Sequence, residues 1–377
     1  MTRPYDLILF GATGFTGQLV ADYLAQQPQT TLKWAIAGRN ATKLAAVKSK
    51  LPEAVGVISA DTTNAIALRR MTAQAKVVIS TVGPYIKYGI PLVEACIETG
   101  TDYADITGEP EFVNHLLIEL DARAREKGVR IVNCCGFDSI PHDFGAYFTA
   151  KLLPDDQPAK IEGFVSASGT FSGGTWHSAV EAMGRMRQQA KTPKRTTKRK
   201  VRGVKAGVHY ENEIQGWAVP FPTIDPQIVL RSAAELPDYG SEFSYGHYIR
   251  IPKWYQVALG GVGITAVTGL AQLKPTRKLL LNLRKPGDGP DAAQREAASF
   301  RVMFVGTAGD KRVVMQVSGG DPGYGETSKM LAETGLSLAF DELPERSGIL
   351  TPVVALREPL LHRLQAAGMK FEVLQGG

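Results

Sequence analysis

The stretch Tyr5-Asp6-Leu7-Ile8-Leu9-Phe10 runs directly into Gly11-Ala12-Thr13-Gly14-Phe15-Thr16-Gly17. The first six residues form a short apolar run of the kind buried in a parallel sheet. Phe15 to Gln27 then carries apolar residues at helical spacing. Three glycines therefore stand between a strand and a helix. One permits the tight turn, one leaves room for a pyrophosphate, and one lets helix and strand approach closely. The helix N-terminus offers its unpaired N–H groups to an anion. This order of elements predicts dinucleotide binding by Gly11, Ala12, Thr13, Gly14, Phe15, Thr16 and Gly17.

The end of the second strand chooses between dinucleotides. A carboxylate there would accept the ribose 2′-hydroxyl. This chain instead has Ala37-Gly38-Arg39-Asn40, with Lys43 one turn further on. A guanidinium at this place can grip a 2′-phosphate with a fork of N–H donors. NADP(H) is the expected cofactor, with Arg39, Asn40 and Lys43 around the phosphate. Asp61, after the third strand, is read either as an adenine contact or as a helix cap. The fourth strand ends in Ser80-Thr81-Val82-Gly83-Pro84-Tyr85. Ligands of open parallel sheets lie beyond the carboxyl ends of the strands, so Thr81, Val82, Gly83 and Pro84 should border the nicotinamide half.

Working outward, strand and helix patterns alternate to residue 140. Strands are expected at 32–37, 55–59, 76–82, 101–104 and 129–134, with helices at 42–51 and on the faces marked by Ile90, Val93 and Ile97 and by Val113, Leu116, Leu120 and Ala124. The fold class is therefore α/β: an N-terminal Rossmann doubly wound parallel sheet, followed by a second α+β domain built on a mixed sheet. The expected domains are 1–140 for NADP, 141–345 for substrate and dimerisation, and 346–377 as a C-terminal segment packing back on the first. A helix is expected over 140–153, a strand over 161–168 and a helix over 175–189. A hairpin is expected over 299–317, turning at Ala308-Gly309-Asp310. Residues 285–293 read as a loop, and 326–340 and 353–367 as helices.

Composition excludes several classes. The chain has 377 residues and 44% apolar content, enough for a large core. Cys96, Cys134 and Cys135 form no metal-binding spacing, and no metal site is expected. No export signal is visible at the N-terminus, so a cytoplasmic protein, peripheral to membranes at most, is expected. The net charge of +6 is unevenly spread. Ten lysines and arginines and no acid lie between Arg185 and Lys205, and removing them from +6 leaves the rest at −4. That run is expected to be an exposed loop of mutually repelling cations. It lacks aromatics for base stacking, so nucleic acid is not an expected partner. A second feature is the uncharged stretch Trp254 to Leu273, whose glycines make a membrane span poor and a buried or interfacial segment the better reading.

The sequence resembles the saccharopine dehydrogenase-like oxidoreductases. The resemblance rests on the Gly11–Gly17 turn, on Ser80–Tyr85 and on Asp102-Tyr103-Ala104-Asp105-Ile106-Thr107-Gly108-Glu109. It rests equally on Cys135-Gly136-Phe137-Asp138-Ser139-Ile140-Pro141, on Gly319–Thr327 and on Gly348–Pro352. It is closest to the trans-acting enoyl reductase branch, which serves polyketide-derived lipid synthesis. The resemblance implies a Rossmann cofactor domain with a mixed-sheet substrate domain. It also implies a partner for the basic run, an acidic acyl carrier protein, beside the anionic membrane surface that charge alone allows. A homodimer stays open. The arginine set that would bind a dicarboxylic amino acid is not identifiable. The expected activity is NADPH-dependent reduction of a C=C or C=O bond in a lipid-like or carrier-bound acyl substrate. Saccharopine-type amino-acid chemistry and a non-catalytic NADP-binding sensor or scaffold stand as alternatives.

A reductase must also supply a proton or a polarising hydrogen bond. Tyr85, Asp138 and His142 all follow expected strand ends and are the catalytic candidates, with Ser139 beside them. Each has a second reading: packing for Tyr85, helix capping for Asp138 and Ser139, and packing for His142. Trp176 and His177 could reach the cleft from the second domain. No G-x-S-x-G elbow appears, and the cysteines lie in apolar sequence, so nucleophilic catalysis is not expected.

Overall fold

The structure is a computed structural model. It describes residues 3–27, 32–168, 180, 199–205, 207–283 and 291–376, with backbone alone at 259–266, 268 and 274. The chain divides into two units, residues 1–140 with 324–367, and residues 141–323 with 368–377. The return to the first unit thus begins at Tyr324, earlier than the expected 346, and the last residues rejoin the second unit.

The first unit begins with β1 (Tyr5–Phe10), α1 (Phe15–Ala25), β2 (Trp34–Gly38), α2 (Ala41–Lys48), β3 (Gly56–Ser59), α3 (Ala65–Thr72) and β4 (Ala75–Ser80). It continues through α4 (Tyr85–Thr99), β5 (Asp102–Asp105), α5 (Pro110–Glu119), α6 (Asp121–Glu126) and β6 (Arg130–Val132), then α7 (Ile140–Lys151) leads away. The helix α3 was not anticipated; its single apolar face, Leu68 and Met71, is too short to stand out in the sequence. The sheet runs β3-β2-β1-β4-β5-β6, all parallel, and a late strand at Gly348–Leu350 pairs with β6 at the far edge. The strand order reverses between β1 and β4, which makes that gap the switch point of the sheet.

Both faces are covered. Ile8, Phe10 and Val78 join Leu68, Met71, Leu92 and Val93 in one core layer. The other face receives the returning chain. A Cβ on Gly335 would lie 2.6 Å from Leu7 Cδ1 and 2.8 Å from Ile79 Cγ2, so the missing side chain lets that helix lie on β1 and β4. Tyr23 of α1 donates to Glu333 of the returning chain at 2.6 Å, and Arg363 binds Asp341 through two hydrogen bonds of 2.7 Å that tie the returning helices together.

The second unit adds β7 (Ala159–Ala167), β8 (Lys200–Gly203), β9 (His209–Glu211), β10 (Gly216–Pro220), α8 (Asp225–Glu235) and β11 (Glu242–Ile251). Then come α9 (Trp254–Gln272), α10 (Lys274–Asn282), α11 (Ala292–Ala297), β12 (Phe300–Ala308) and β13 (Lys311–Gly319). The chain returns to the first unit with α12 (Gly325–Phe340), β14 (Gly348–Leu350) and α13 (Pro352–Ala366), and ends in β15 (Lys370–Gly376) of the second. The second sheet runs β15-β13-β12-β7-β11-β10-β9, with β8 also on β11. It is mixed: β7 and β8 run parallel to β11, whereas β12, β13 and β15 are antiparallel neighbours. The hairpin turns at Gly309 with φ 56°, as its glycine foretold.

Two segments singled out in the sequence are described in part. The uncharged stretch forms the helix α9, and no helix among the described residues is long and apolar enough to cross a membrane. The end of the basic run is also ordered. Arg199 donates to the carbonyls of Ala233, Leu236, Pro237 and Gly240, and Lys200 pairs with Glu242 at 3.3 Å. These cations close the C-terminal end of α8 and an edge of the sheet, so here partners offset the mutual repulsion. Residues 181–198, most of the run, and 169–179, with Trp176 and His177, lie outside the described residues, as does all of the expected 175–189 helix except Val180.

Candidate functional site

The three glycines of the first turn do different work. Gly11 has φ 99°, and a Cβ there would sit 2.6 Å from Thr81 Oγ1 and 2.7 Å from Val82 Cγ2. Gly17 lies where α1 crosses the end of β1, and its Cβ would sit 2.1 Å from the Gly11 carbonyl oxygen. Gly14 is exposed, and its nearest neighbour would be the Gly11 oxygen at 3.4 Å. Gly11 and Gly17 are therefore demanded by the protein's own packing, whereas the room at Gly14 faces outward. Gly14 is also the N-cap of α1 and offers no capping side chain. The helix dipole of that turn favours an anion, and no acid in the turn opposes it. Thr81 Oγ1 donates to the Gly11 oxygen at 3.2 Å and ties the end of β4 to this turn. Ala12 is buried, Thr13 and Thr16 are half-buried, and the Phe15 ring packs edge-on against Tyr324 at 4.7 Å.

At the ends of β2 and β3 the charges fall as expected, with one reassignment. Arg39 and Lys43 are exposed, and Arg39 lies near enough to Asp61 to help lower its pKa. The larger cause of that lowering is the turn to Thr63, whose N–H and hydroxyl both donate to Asp61 Oδ1 at 2.9 and 2.7 Å. Asn40 is the N-cap of α2 and accepts the Lys43 N–H at 2.9 Å. Its Oδ1 is thus engaged in holding the helix. Val82 is half-buried against the core, and Gly83 and Pro84 are exposed.

The catalytic candidates separate. Tyr85 is buried, donates its hydroxyl to the Ser80 carbonyl at 3.0 Å and packs on Phe112. Burial, with Asp105 nearby, raises its pKa well above the ordinary value. It is a packing residue, because the ring turns into the core instead of outward from the strand end. His142 is likewise buried, in the second unit, where it faces Asp225 and His247. Ser139 is buried too. Asp138 stays exposed and sits over Gly108, whose Cβ would lie 2.8 Å from Asp138 Oδ2. The residue meets solvent, yet enough protein surrounds its carboxyl that partial desolvation raises its pKa.

Sequence reading missed the buried clamp below it. Asp105, at the end of β5, accepts N–H bonds from Thr107 at 3.1 Å, Cys134 at 3.2 Å and Asn133 Nδ2 at 2.8 Å. Cys134 is held at φ 64°, a left-handed conformation that costs a non-glycine residue. This turn ends β6 at Val132, short of the expected residue 134. The donors favour the carboxylate, but full burial outweighs them and lifts the Asp105 pKa from 3.8 to about 6. Beyond it, the Phe137 N–H donates to Thr327 Oγ1 at 3.1 Å. The motifs around Phe137 and Thr327 therefore meet, although they lie far apart in the chain.

A parallel sheet of this order, with a glycine turn leading into a helix at its switch point, defines a dinucleotide-binding protein. Residues 7–132 match the saccharopine dehydrogenase NADP-binding domain. Over 98% of the chain it is 36% identical to a protein of Mycobacterium tuberculosis provisionally named a trans-acting enoyl reductase, of which 97% is covered. It is 32% identical over 99% of the chain to the saccharopine dehydrogenase-like oxidoreductase of Bos taurus, with 98% of that protein covered. The fold is similar to saccharopine dehydrogenase (L-Glu forming) of Saccharomyces cerevisiae, with a TM-score of 0.57 at 14% identity over 98% of this chain and 100% of that one. The chain belongs to the saccharopine dehydrogenase-like oxidoreductase family, and NADP is its cofactor.

Two outcomes follow from this geometry. Gly14→Val should remove NADPH binding by calorimetry while leaving the melting temperature nearly unchanged. Gly17→Ala should instead lower stability, by about 1–3 kcal/mol in urea unfolding, because its methyl would collide with backbone; the reverse pattern would show that the roles are misassigned. The second outcome concerns pH. The folded Asp105 binds its proton more tightly than the unfolded chain does, so its contribution to stability falls as pH rises from about 4 to about 6. Asp105→Asn should flatten that part of the wild-type stability profile, an effect on the order of 1–3 kcal/mol. Parallel profiles for the two proteins would refute it.

Proposed function

We propose that the protein is an NADPH-dependent reductase acting on a C=C or C=O bond of a lipid-like or carrier-bound acyl substrate. The observation that carries this reading is the end-to-end similarity to proteins named trans-acting enoyl reductases, at 36% identity in one case. NADPH, when bound, supplies a hydride. The chain must then place the electrophilic carbon beyond the ends of β1 and β4 and deliver a proton to the atom that gains charge.

Asp138 suits the second task. It is the accessible carboxyl among the candidates, and it follows β6 on the carboxyl side of the sheet. Gly108 gives it room. Arg39 and Lys43 hold the 2′-phosphate, and Thr81 with the Gly11 turn positions the pyrophosphate end.

The apolar character of the substrate is supported by α9 and α10, where Trp254, Tyr255, Leu270, Leu273, Leu279 and Leu283 are all exposed. Such residues suit a greasy substrate or a lipid surface, in a cytoplasmic protein peripheral to a membrane. The cations between Arg185 and Lys205 suit an acidic carrier protein, which such a reductase must meet in solution.

NADPH oxidation should be measured with an enoyl chain on a carrier protein or on pantetheine, with the matching ketoacyl compound, and with saccharopine. Turnover of an acyl substrate is expected. Asp138→Asn should lower kcat by roughly 10²–10⁴-fold with NADPH affinity unchanged. Turnover of saccharopine alone would favour amino-acid chemistry, and intact NADPH binding without any turnover would favour a sensor.

A further inference from the structure

The second unit buries a His–Asp–His cluster that the reductase chemistry does not use. His142 comes from the first turn of α7, Asp225 from the first turn of α8 and His247 from the middle of β11. All three are buried, with 1%, 2% and 5% of their surface exposed. One ring nitrogen of each histidine and one carboxylate oxygen all lie within 4.8 Å of one another. His142 Nδ1 is 3.3 Å from Asp225 Oδ1, and His247 Nε2 is 3.4 Å from Asp225 Oδ2.

Those separations are informative. A charge-assisted N–H···O bond closes to about 2.7–2.9 Å. Both contacts are longer than that, and His247 Nε2 makes no hydrogen bond of acceptable geometry although it is buried and points at the carboxylate. In contrast, ligands bonded to zinc at about 2.0–2.1 Å span a tetrahedral edge of about 3.3–3.4 Å. The two measured separations are of that length, one to each carboxylate oxygen, and a single carboxylate oxygen lies within 4.8 Å of both ring nitrogens, so small side-chain shifts would close the set around one ion.

The surroundings match what a metal-bound imidazole needs. Tyr245 Oη lies 3.4 Å from His247 Nδ1, the nitrogen turned away from the cluster. If Nδ1 carries the proton and donates it to Tyr245, Nε2 presents a lone pair to the cluster. The His247 ring is stacked on Phe221 at 5.8 Å and meets His142 edge-on at 5.0 Å, so the rings are held in place. The Thr223 hydroxyl donates to Asp225 Oδ2 and fixes the carboxylate. Local spacing could not reveal this set, because each member comes from a different element.

We propose that His142 Nδ1, His247 Nε2 and the Asp225 carboxylate bind one divalent cation of the zinc class. Two imidazoles and a carboxylate are a donor set that suits Zn²⁺. A set of three leaves one coordination position for a water molecule. The ion fastens α7, the first helix of the second unit, to α8 and to the central strand β11. Its role is structural, since the ligands are buried and belong to none of the cofactor contacts.

The test uses the full-length chain without a histidine tag, so that no foreign imidazole competes. Elemental analysis after purification, and calorimetric titration of chelator-treated protein with Zn²⁺, should both give one ion per chain. Replacement by Co²⁺ should give the intense visible absorption of a tetrahedral site with nitrogen ligands, a signature that surface binding does not produce. Zn²⁺ should raise the melting temperature of the chelated protein. His247→Gln should abolish stoichiometric binding, and the isosteric Tyr245→Phe should weaken it by about 10–100-fold. Folding of each variant is checked by NADPH affinity, which should not change. No bound metal, no Co²⁺ spectrum and no thermal shift in the wild-type chain would overturn the proposal and leave a purely hydrogen-bonded cluster.

Discussion

The carbonyl oxygen of Gly11 fills the space where a side chain on Gly17 would begin. Everything at the cofactor end of the first unit depends on this backbone-to-backbone approach. It sets α1 close against the end of β1, and Thr81 then locks the end of β4 onto the same carbonyl oxygen. The result is a helix terminus without a side-chain cap beside the gap where the strand order reverses. Gly14 lies in this opening with no packing duty of its own, so the space beside it is reserved for a ligand and not for the fold.

A second constraint concerns how the chain returns. The helix α12 covers the face of β1 and β4 only because Gly335 lets Leu7 and Ile79 come into contact with its backbone. The ion pairs of Arg363 with Asp341 and Glu333 then join α12 to α13. Thr327, at the start of α12, accepts the Phe137 N–H and so supports the loop that carries Asp138. The Asp105 clamp holds the turn just before that loop. The exposed carboxyl is thus placed by buried polar contacts from two distant parts of the chain.

Much of this was legible beforehand. The Gly11–Gly17 turn, the parallel strands and the basic end of β2 are local patterns, and local patterns carry their own physics. Side-chain direction was not legible in the same way. Tyr85 and Asp138 both follow strand ends, yet one ring turns into the core while the other side chain meets solvent. Asn40 was read as a phosphate contact and Asp61 as an adenine contact or a helix cap, and each accepts a backbone N–H in its own turn. The His142–Asp225–His247 cluster depends on the packing of α7, α8 and β11, which no spacing encodes. The Arg199 contacts to the end of α8 were hidden for the same reason: a run of cations looks solvated until its carbonyl partners are known.

The central claim is that the first turn and Arg39 together make a site for NADP. Calorimetric titration of the wild-type chain and of Arg39→Ala with NADPH and with NADH tests it most directly. The wild type should bind NADPH at least about tenfold more tightly than NADH, a difference of about 1.4 kcal/mol or more. Arg39→Ala should lose that preference and keep its NADH affinity. Equal affinities in the wild type, or a preference that survives the substitution, would contradict the assignment.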